Sequence, residues 1–217
     1  MIILNLQYKK RKNIKASFQK IFNSYRQLPR NVHLLFLLEF SLSLIHVAFI
    51  LILNIYLRKK GFSDPEIASF NSLRFVGALA FALPLGIFIR GKKLKPFFVI
   101  SSLAVPLTSI MIIESIKYSI IPIIQLAFLS WGTGMMVMRV CSLPFIIRNT
   151  TIQNSTESLS LSASTWSLAT IFSGLIISGL DWIVYVDIFN RSFLFDEYSI
   201  LWIITIIGLV SFFLQLR

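Results

Sequence analysis

Residues 83–96 of the chain run Leu-Pro-Leu-Gly-Ile-Phe-Ile-Arg-Gly-Lys-Lys-Leu-Lys-Pro and join two long apolar segments through a short basic turn. The turn contains four cations, Arg90, Lys92, Lys93 and Lys95, and no acidic residue. Short loops rich in Lys and Arg remain on the cytoplasmic side of a membrane. The stretch therefore predicts two membrane-spanning helices and an orientation in which their connecting turn faces the cytoplasm.

The composition of the whole chain is typical of a membrane protein. Of its 217 residues, 56% are hydrophobic and only 14% are charged, and the apolar residues fall into runs of about 20, the length that spans a bilayer. We predict an all-α integral membrane protein in which a basic tail, residues 1–31, precedes one bundle of six transmembrane helices. The predicted helices cover residues 32–57, 65–89, 96–116, 120–147, 159–183 and 198–216.

The positive charges are distributed unevenly between the two predicted sides of the membrane. The predicted cytoplasmic side carries 14 cations and one acid, whereas the outer side carries five cations and seven acids. The positive-inside rule accounts for this difference, so the net charge of +12 requires no nucleic-acid partner. We expect a multi-pass protein of the cytoplasmic (plasma or inner) membrane with both termini in the cytoplasm. The outer triplet Arg58-Lys59-Lys60 is the discordant feature.

The N-terminal tail has eight cations up to Arg30 and no acidic residue. Two interpretations stay open for it. It is either a partly helical segment that lies on anionic lipid headgroups or a disordered segment that only anchors the topology.

Two loops resemble those of the major facilitator superfamily of secondary transporters. The segment 56–67, Tyr-Leu-Arg-Lys-Lys-Gly-Phe-Ser-Asp-Pro-Glu-Ile, resembles the first outer loop of many of its members. Between its second and third helices that family has the pattern Gly-x-x-x-Asp-Arg-x-Gly-Arg-Lys, and the basic turn follows it without the aspartate. The matching residues are Gly86, Arg90, Gly91, Lys92 and Lys93.

The resemblance implies both a fold and an activity. It implies that the chain is the N-terminal six-helix half of a twelve-helix transporter, in which two halves enclose a substrate site near the membrane midplane. A small solute would then cross by alternating access, and the second half would be another copy or a separate chain. A non-transporting scaffold or partner subunit, and an inactive truncated fragment, are the alternatives.

Charged residues inside spanning helices are costly and usually mark a pathway or an ion pair. Glu39 in the first predicted helix and Arg139 in the fourth both lie roughly 10–14 Å from the cytoplasmic helix ends, at 1.5 Å per residue. In the resembled fold both helices border the central cavity, so we expect the two residues to face each other across it. They form either a substrate or proton site, with Glu39 changing its protonation state, or a static ion pair.

Two further polar residues are candidates for the same pathway. Arg74 lies about seven residues from the outer end of the second predicted helix, so its side chain can also extend outward to the membrane surface. His46, near the middle of the first helix, is a candidate for titration or for binding a polar group of the substrate. The alternative for His46 is a structural hydrogen bond to a neighbouring helix.

Small residues in two predicted helices indicate close helix packing and no ligand site. The fourth helix contains Gly132 and Gly134, and the fifth contains Gly174 and Gly179. Small residues at such spacings let two helix backbones approach closely.

Enzyme and metal-site motifs are lacking in the sequence. An intramembrane serine protease needs a Gly-x-Ser motif with a histidine in a later helix, and no histidine follows His46. Cys141 is the single cysteine, and His33 and His46 are the only histidines, too few for a thiolate or histidine metal cluster. We therefore predict a protein that is not an enzyme and that uses no cofactor, with the lipid bilayer, a small solute and in one hypothesis a proton as its partners.

Overall fold

The computed structural model describes residues 28–185 and 196–215. Within these ranges the chain forms six α-helices and no strand, so the prediction of an all-helical chain is confirmed there. The prediction for the tail lies outside the described residues except at its last few positions. The helices are α1 Arg30–Lys59, α2 Asp64–Phe88, α3 Lys95–Lys117, α4 Ile121–Asn149, α5 Ile152–Tyr185 and α6 Glu197–Gln215.

Five of these helices, α1 to α5, are long and apolar enough to cross a membrane. The sixth is apolar over the shorter stretch Glu197–Val210. The chain is therefore a helical protein with the features of a membrane-embedded bundle.

Local sequence signals determine where α2 begins. Gly61 adopts a left-handed backbone with φ of 89°, which ends α1 and turns the chain. Ser63 then caps α2, because its backbone N–H and its hydroxyl group both donate to the carboxylate of Glu66, at 2.8 and 2.7 Å. Pro65 occupies the first turn of the helix, where no backbone N–H is needed.

The start of α5 differs from its prediction. The predicted helices 120–147 and 159–183 leave the polar residues 148–158 between them, but α4 continues to Asn149 and α5 begins at Ile152. The hydroxyl group of Ser158 donates to the carbonyl oxygen of Asn154 at 2.8 Å, and that of Thr150 donates to Ile146 at 2.7 Å. These hydroxyl groups find their acceptors within the helix backbone, and only Thr150 and Thr151 separate the two helices.

Most helix contacts among the described residues repeat when every helix number is shifted by three, the exception being α1–α3, whose counterpart α4–α6 is not a substantial contact. The numbering continues from α6 to α1, so the pair α2–α4 corresponds to α5–α1 and the pair α3–α4 corresponds to α6–α1. All four of these helix pairs form extensive interfaces. The pairs α1–α4 and α3–α6 map onto themselves, and both are also in contact. The contact pattern is thus close to that of a three-helix repeat, in which α1 and α4 hold equivalent places.

Glycine permits the closest approach between α2 and α4. A Cβ atom at Gly132 would overlap the backbone carbonyl oxygen of Arg74, and one at Gly77 would overlap that of Leu129. This interface agrees with the predicted packing role of Gly132. At Gly174 and Gly179 no such contact exists among the described atoms, because both face open space.

The helices differ in how much of their surface the bundle buries. Most of α1 is buried, whereas α2 buries only Ile67, Phe70 and Gly77. Large apolar side chains on α2 and on its equivalent, α5, remain exposed, which leaves two apolar faces for lipid or for another protein. They include Phe75, Leu79, Leu83 and Ile87 on α2 and Leu168, Ile171, Phe172 and Leu175 on α5.

Candidate functional site

A cavity of about 470 Å³ lies between α1, α4 and α5, and we call it the central cavity. Its lining combines one acid, one cation, three serines and several apolar side chains. The lining residues are Glu39 and Ser43 from α1, Met135, Met138, Arg139, Ser142 and Leu143 from α4, and Ser162, Ala163 and Trp166 from α5.

Glu39 lies in the wall of the cavity and is held by serine side chains. It is 8% exposed, and its carboxylate accepts a hydrogen bond of 2.8 Å from the hydroxyl group of Ser162. The Ser142 side chain, which donates to the Met138 carbonyl oxygen at 3.0 Å, also contacts the carboxylate. The hydroxyl group of Ser162 on α5 therefore donates to this α1 carboxylate, and no described cation lies within 4.0 Å of it.

Arg139 lines the same cavity and is exposed. The carbon atom of its guanidinium group lies 4.4 Å from the ring centroid of Trp166, which is a cation–π arrangement. Among the described residues it has no acidic partner within 4.0 Å, so it forms no ion pair with Glu39. The structure brings the two residues to one cavity but does not contain the static ion pair that was the alternative.

His46 contacts two tryptophan rings. Its ring stacks on Trp131 with the centroids 5.1 Å apart and an interplanar angle of 23°, and it contacts Trp166 at a centroid distance of 4.8 Å. Its Nδ1 atom is buried and has no hydrogen-bond partner among the described residues. The ring is held by aromatic contacts, and Nδ1 does not make the interhelical hydrogen bond considered above.

Arg74 also contacts Trp131. Its guanidinium carbon is 5.4 Å from the centroid of the Trp131 ring and 4.6 Å from that of Phe75. Trp131 is completely buried, so the guanidinium group lies against the core.

These contacts connect four helices in one row, which we call the cation–aromatic ladder. Each step of the ladder is between 4.4 and 5.4 Å. The row begins on α2 and ends at the central cavity on α4. In order it contains Arg74, Trp131, His46, Trp166 and Arg139.

The two tryptophans of the ladder are functional candidates that sequence reasoning missed. A signal for them exists, because tryptophan in membrane helices is usually found at the membrane interfaces. Trp131 and Trp166 instead lie more than two helical turns from the ends of α4 and α5.

The residues of the basic turn form a surface at one end of the bundle, which we call the basic end. Gly91 has a left-handed backbone with φ of 74°, and the adjacent Lys92 carbonyl oxygen accepts a hydrogen bond of 2.8 Å from Arg148. Gly86 and Arg90 line a shallow cleft together with Pro144 and Arg148, whereas Lys92 and Lys93 are exposed. The matched loop motif therefore contacts the end of α4 and does not line the central cavity.

The discordant triplet lies at the opposite end of the bundle. Arg58 pairs with Asp64 at 3.0 Å, and Lys59 pairs with Glu197 at 2.6 Å. The ammonium group of Lys60 lies 5.8 Å from the centroid of the Tyr56 ring. Local acids therefore neutralise two of these three cations.

Comparisons with models of protein families, with curated proteins and with solved structures found no match to this chain. Its function must therefore be inferred from its own fold and side chains. Within the described residues no group of three or more His, Cys, Asp or Glu side chains is placed to hold a metal ion. The cavity and the ladder are the features from which chemistry can be argued.

Proposed function

We propose that the chain is one six-helix half of a facilitator-type secondary transporter, which moves a small solute by alternating access together with a second half. The observation that carries this proposal is a pattern of helix contacts close to that of two three-helix repeats, α1–α3 and α4–α6. Internal repeats of three helices within each six-helix half are a property of this transporter architecture. The equivalent helices α1 and α4 both line the central cavity, where such transporters bind their substrates.

The side chains of the central cavity support a role in transport. An acid and a cation reach the same cavity within the apolar spans but do not neutralise each other. Placing them there is costly, and a permanent ion pair is not the compensation. In the proposed mechanism Arg139 binds the solute and Glu39 takes up or releases a proton as the cavity changes the side to which it opens.

The proposed orientation places the basic end in the cytoplasm of a plasma or inner membrane, with six spans and both termini inside. It is supported by cations at that end, such as Arg90, Lys93 and Lys95, which have no ion pair with a described acid. The second half would pack on the exposed apolar faces of α2 and α5. Exposed apolar surface of this extent is typical of a site that binds protein or lipid.

Accessibility of the central cavity to water tests the proposal without knowledge of the solute. Cys141 is the single cysteine and is buried, so Cys141→Ser gives a background without reactive thiols. On this background Leu143→Cys places a thiol in the cavity lining, and Leu107→Cys places one on the exposed apolar face of α3 as a control. Both are treated with a membrane-impermeant maleimide in membrane vesicles of each orientation.

We expect the cavity thiol to react in at least one vesicle orientation and the control thiol to remain unreactive in lipid. Equal lack of reaction at both positions would show that the cavity is not part of an aqueous pathway, and the transport proposal would be rejected.

The mass of the polypeptide detected by an antibody in its native membrane provides a second test. The chain itself has a mass of 24.8 kDa, so a band of roughly twice that mass would place both halves in one polypeptide, and one near the chain's own mass would require a separate partner.

Substitution Glu39→Gln tests the proton part of the proposal. The amide keeps a hydrogen-bonding group for Ser162 but cannot take up a proton. We expect the pH dependence of uptake to disappear in an otherwise folded and active protein. Uptake whose pH profile equals that of the wild type would remove Glu39 from the proton pathway.

A further inference from the structure

We infer that the central cavity takes an organic anion: a small acid with a single negative charge and an apolar body. This inference rests on the proposed function, because it concerns the substrate of the same cavity. Its first support is a charge count. Only three charged residues lie more than two helical turns from the helix ends, namely Glu39, Arg74 and Arg139.

These three residues leave one positive charge in excess within the apolar part of the bundle. An uncompensated charge in this environment is unfavourable, and nearby groups of opposite sign reduce the cost. Neither arginine has an acidic partner within 4.0 Å among the described residues. A ligand with a single negative charge would restore the balance while Glu39 is ionised.

Exposure determines which charge a ligand meets first. Glu39 is 8% exposed and is engaged by serine hydroxyl groups, whereas Arg139 is exposed to the cavity. The accessible charge of the site is therefore positive. A guanidinium group also presents paired N–H donors that match a carboxylate, which makes arginine a better anion ligand than lysine.

The ladder holds the anion-binding group in place. The Trp166 ring supports Arg139 at 4.4 Å, and His46 supports the Trp166 ring at 4.8 Å from the side of α1. A planar cation that rests on a ring keeps its N–H edge free for a ligand. Around it, Met135, Met138 and Leu143 provide apolar lining for the body of the acid.

The sign of the charge that the cavity attracts can be measured with small thiol reagents, whatever the natural solute is. On the Cys141→Ser background, Ala163→Cys places a thiol at an exposed position of the cavity lining. An anionic and a cationic methanethiosulfonate are compared in the protein in its native membrane, and each rate is divided by the rate with free 2-mercaptoethanol. Arg139→Gln removes the charge, and Arg148→Gln removes a cation outside the cavity.

We expect the normalised rate to be about ten-fold higher for the anionic reagent than for the cationic one, as a unit charge at short range predicts. Arg139→Gln should abolish this preference, and Arg148→Gln should leave it unchanged. Benzoate should slow the reaction more than its neutral analogue benzamide does. A faster cationic reagent, or a preference that does not depend on Arg139, would overturn the inference while the cavity remained open to water. No reaction with either reagent would reject the proposed function and the inference with it.

Discussion

The bundle holds its cations in two different ways. At the end that contains Arg58 and Lys59, carboxylates lie 3.0 and 2.6 Å away, and the residues are largely exposed. In the interior, Arg74 and Arg139 rest on indole rings 5.4 and 4.4 Å away, without a carboxylate among the described residues.

The difference shows what each region requires. An exposed cation is already solvated, so its carboxylate adds little to stability. Each interior arginine rests on an aromatic face and has no acidic partner among the described residues, and Arg139 is exposed to the cavity. Arg139 therefore remains ready to bind an anion, whereas Arg58 and Lys59 are already paired with carboxylates.

The largest expected effect is that of removing a ring from the ladder. Trp131 is completely buried and contacts His46, Phe49 and Arg74. Trp131→Ala should lower the free energy of unfolding by about 3–5 kcal/mol, because it creates a cavity and leaves Arg74 without its ring. Thermal unfolding in detergent checks this expectation.

Trp131→Phe is the matched control for that substitution. It keeps an aromatic face for Arg74 and His46, and its loss of stability should be less than half of the loss in the alanine variant. Equal losses in the two variants would show that an aromatic face at this position does not explain the role of Trp131.

The next effect concerns the backbone that positions Arg74. Gly132→Ala adds a Cβ atom that would overlap the Arg74 carbonyl oxygen, so α2 and α4 must separate. We expect a loss of about 1–3 kcal/mol, as for other overpacked cores. Gly174→Ala, where the added atom meets open space, is the control and should leave the unfolding temperature unchanged or slightly higher. An unaffected Gly132→Ala variant would refute the close approach of the two helices.

The two regions were not equally predictable from the sequence. Counting residues from the helix ends placed Glu39 and Arg139 at similar depth, because an α-helix has a fixed rise per residue. Hydrophobic runs likewise indicated the number of helices, since the bilayer sets their length. The ladder could not be predicted in this way, because it depends on the side-chain rotamers and on the rotation of four helices about their axes.

The largest error in the predicted helix boundaries is at the start of α5. The region 152–158 is polar in sequence but helical. The polarity of a segment indicates whether it lies in water or in lipid, and it does not determine the backbone conformation. Ser158 satisfies its hydroxyl group on the carbonyl oxygen of Asn154. Hydropathy locates where an apolar segment begins. That position is also the start of the helix only when the helix begins at the membrane surface.

The smallest expected effect is at the paired end of the bundle. Lys59 and Glu197 join α1 to α6, and their side chains are 64% and 20% exposed. A double-mutant cycle with Lys59→Gln and Glu197→Gln should give a coupling energy of about 0.2–1 kcal/mol, which decreases as salt is added.

A matched cycle with Arg139→Gln and Glu39→Gln should give no larger coupling energy, because those two groups do not form an ion pair. Strong coupling of Glu39 with Arg139, above that of Lys59 with Glu197, would mean that the interior cation is already neutralised by the protein, and the case for an anionic ligand would fail.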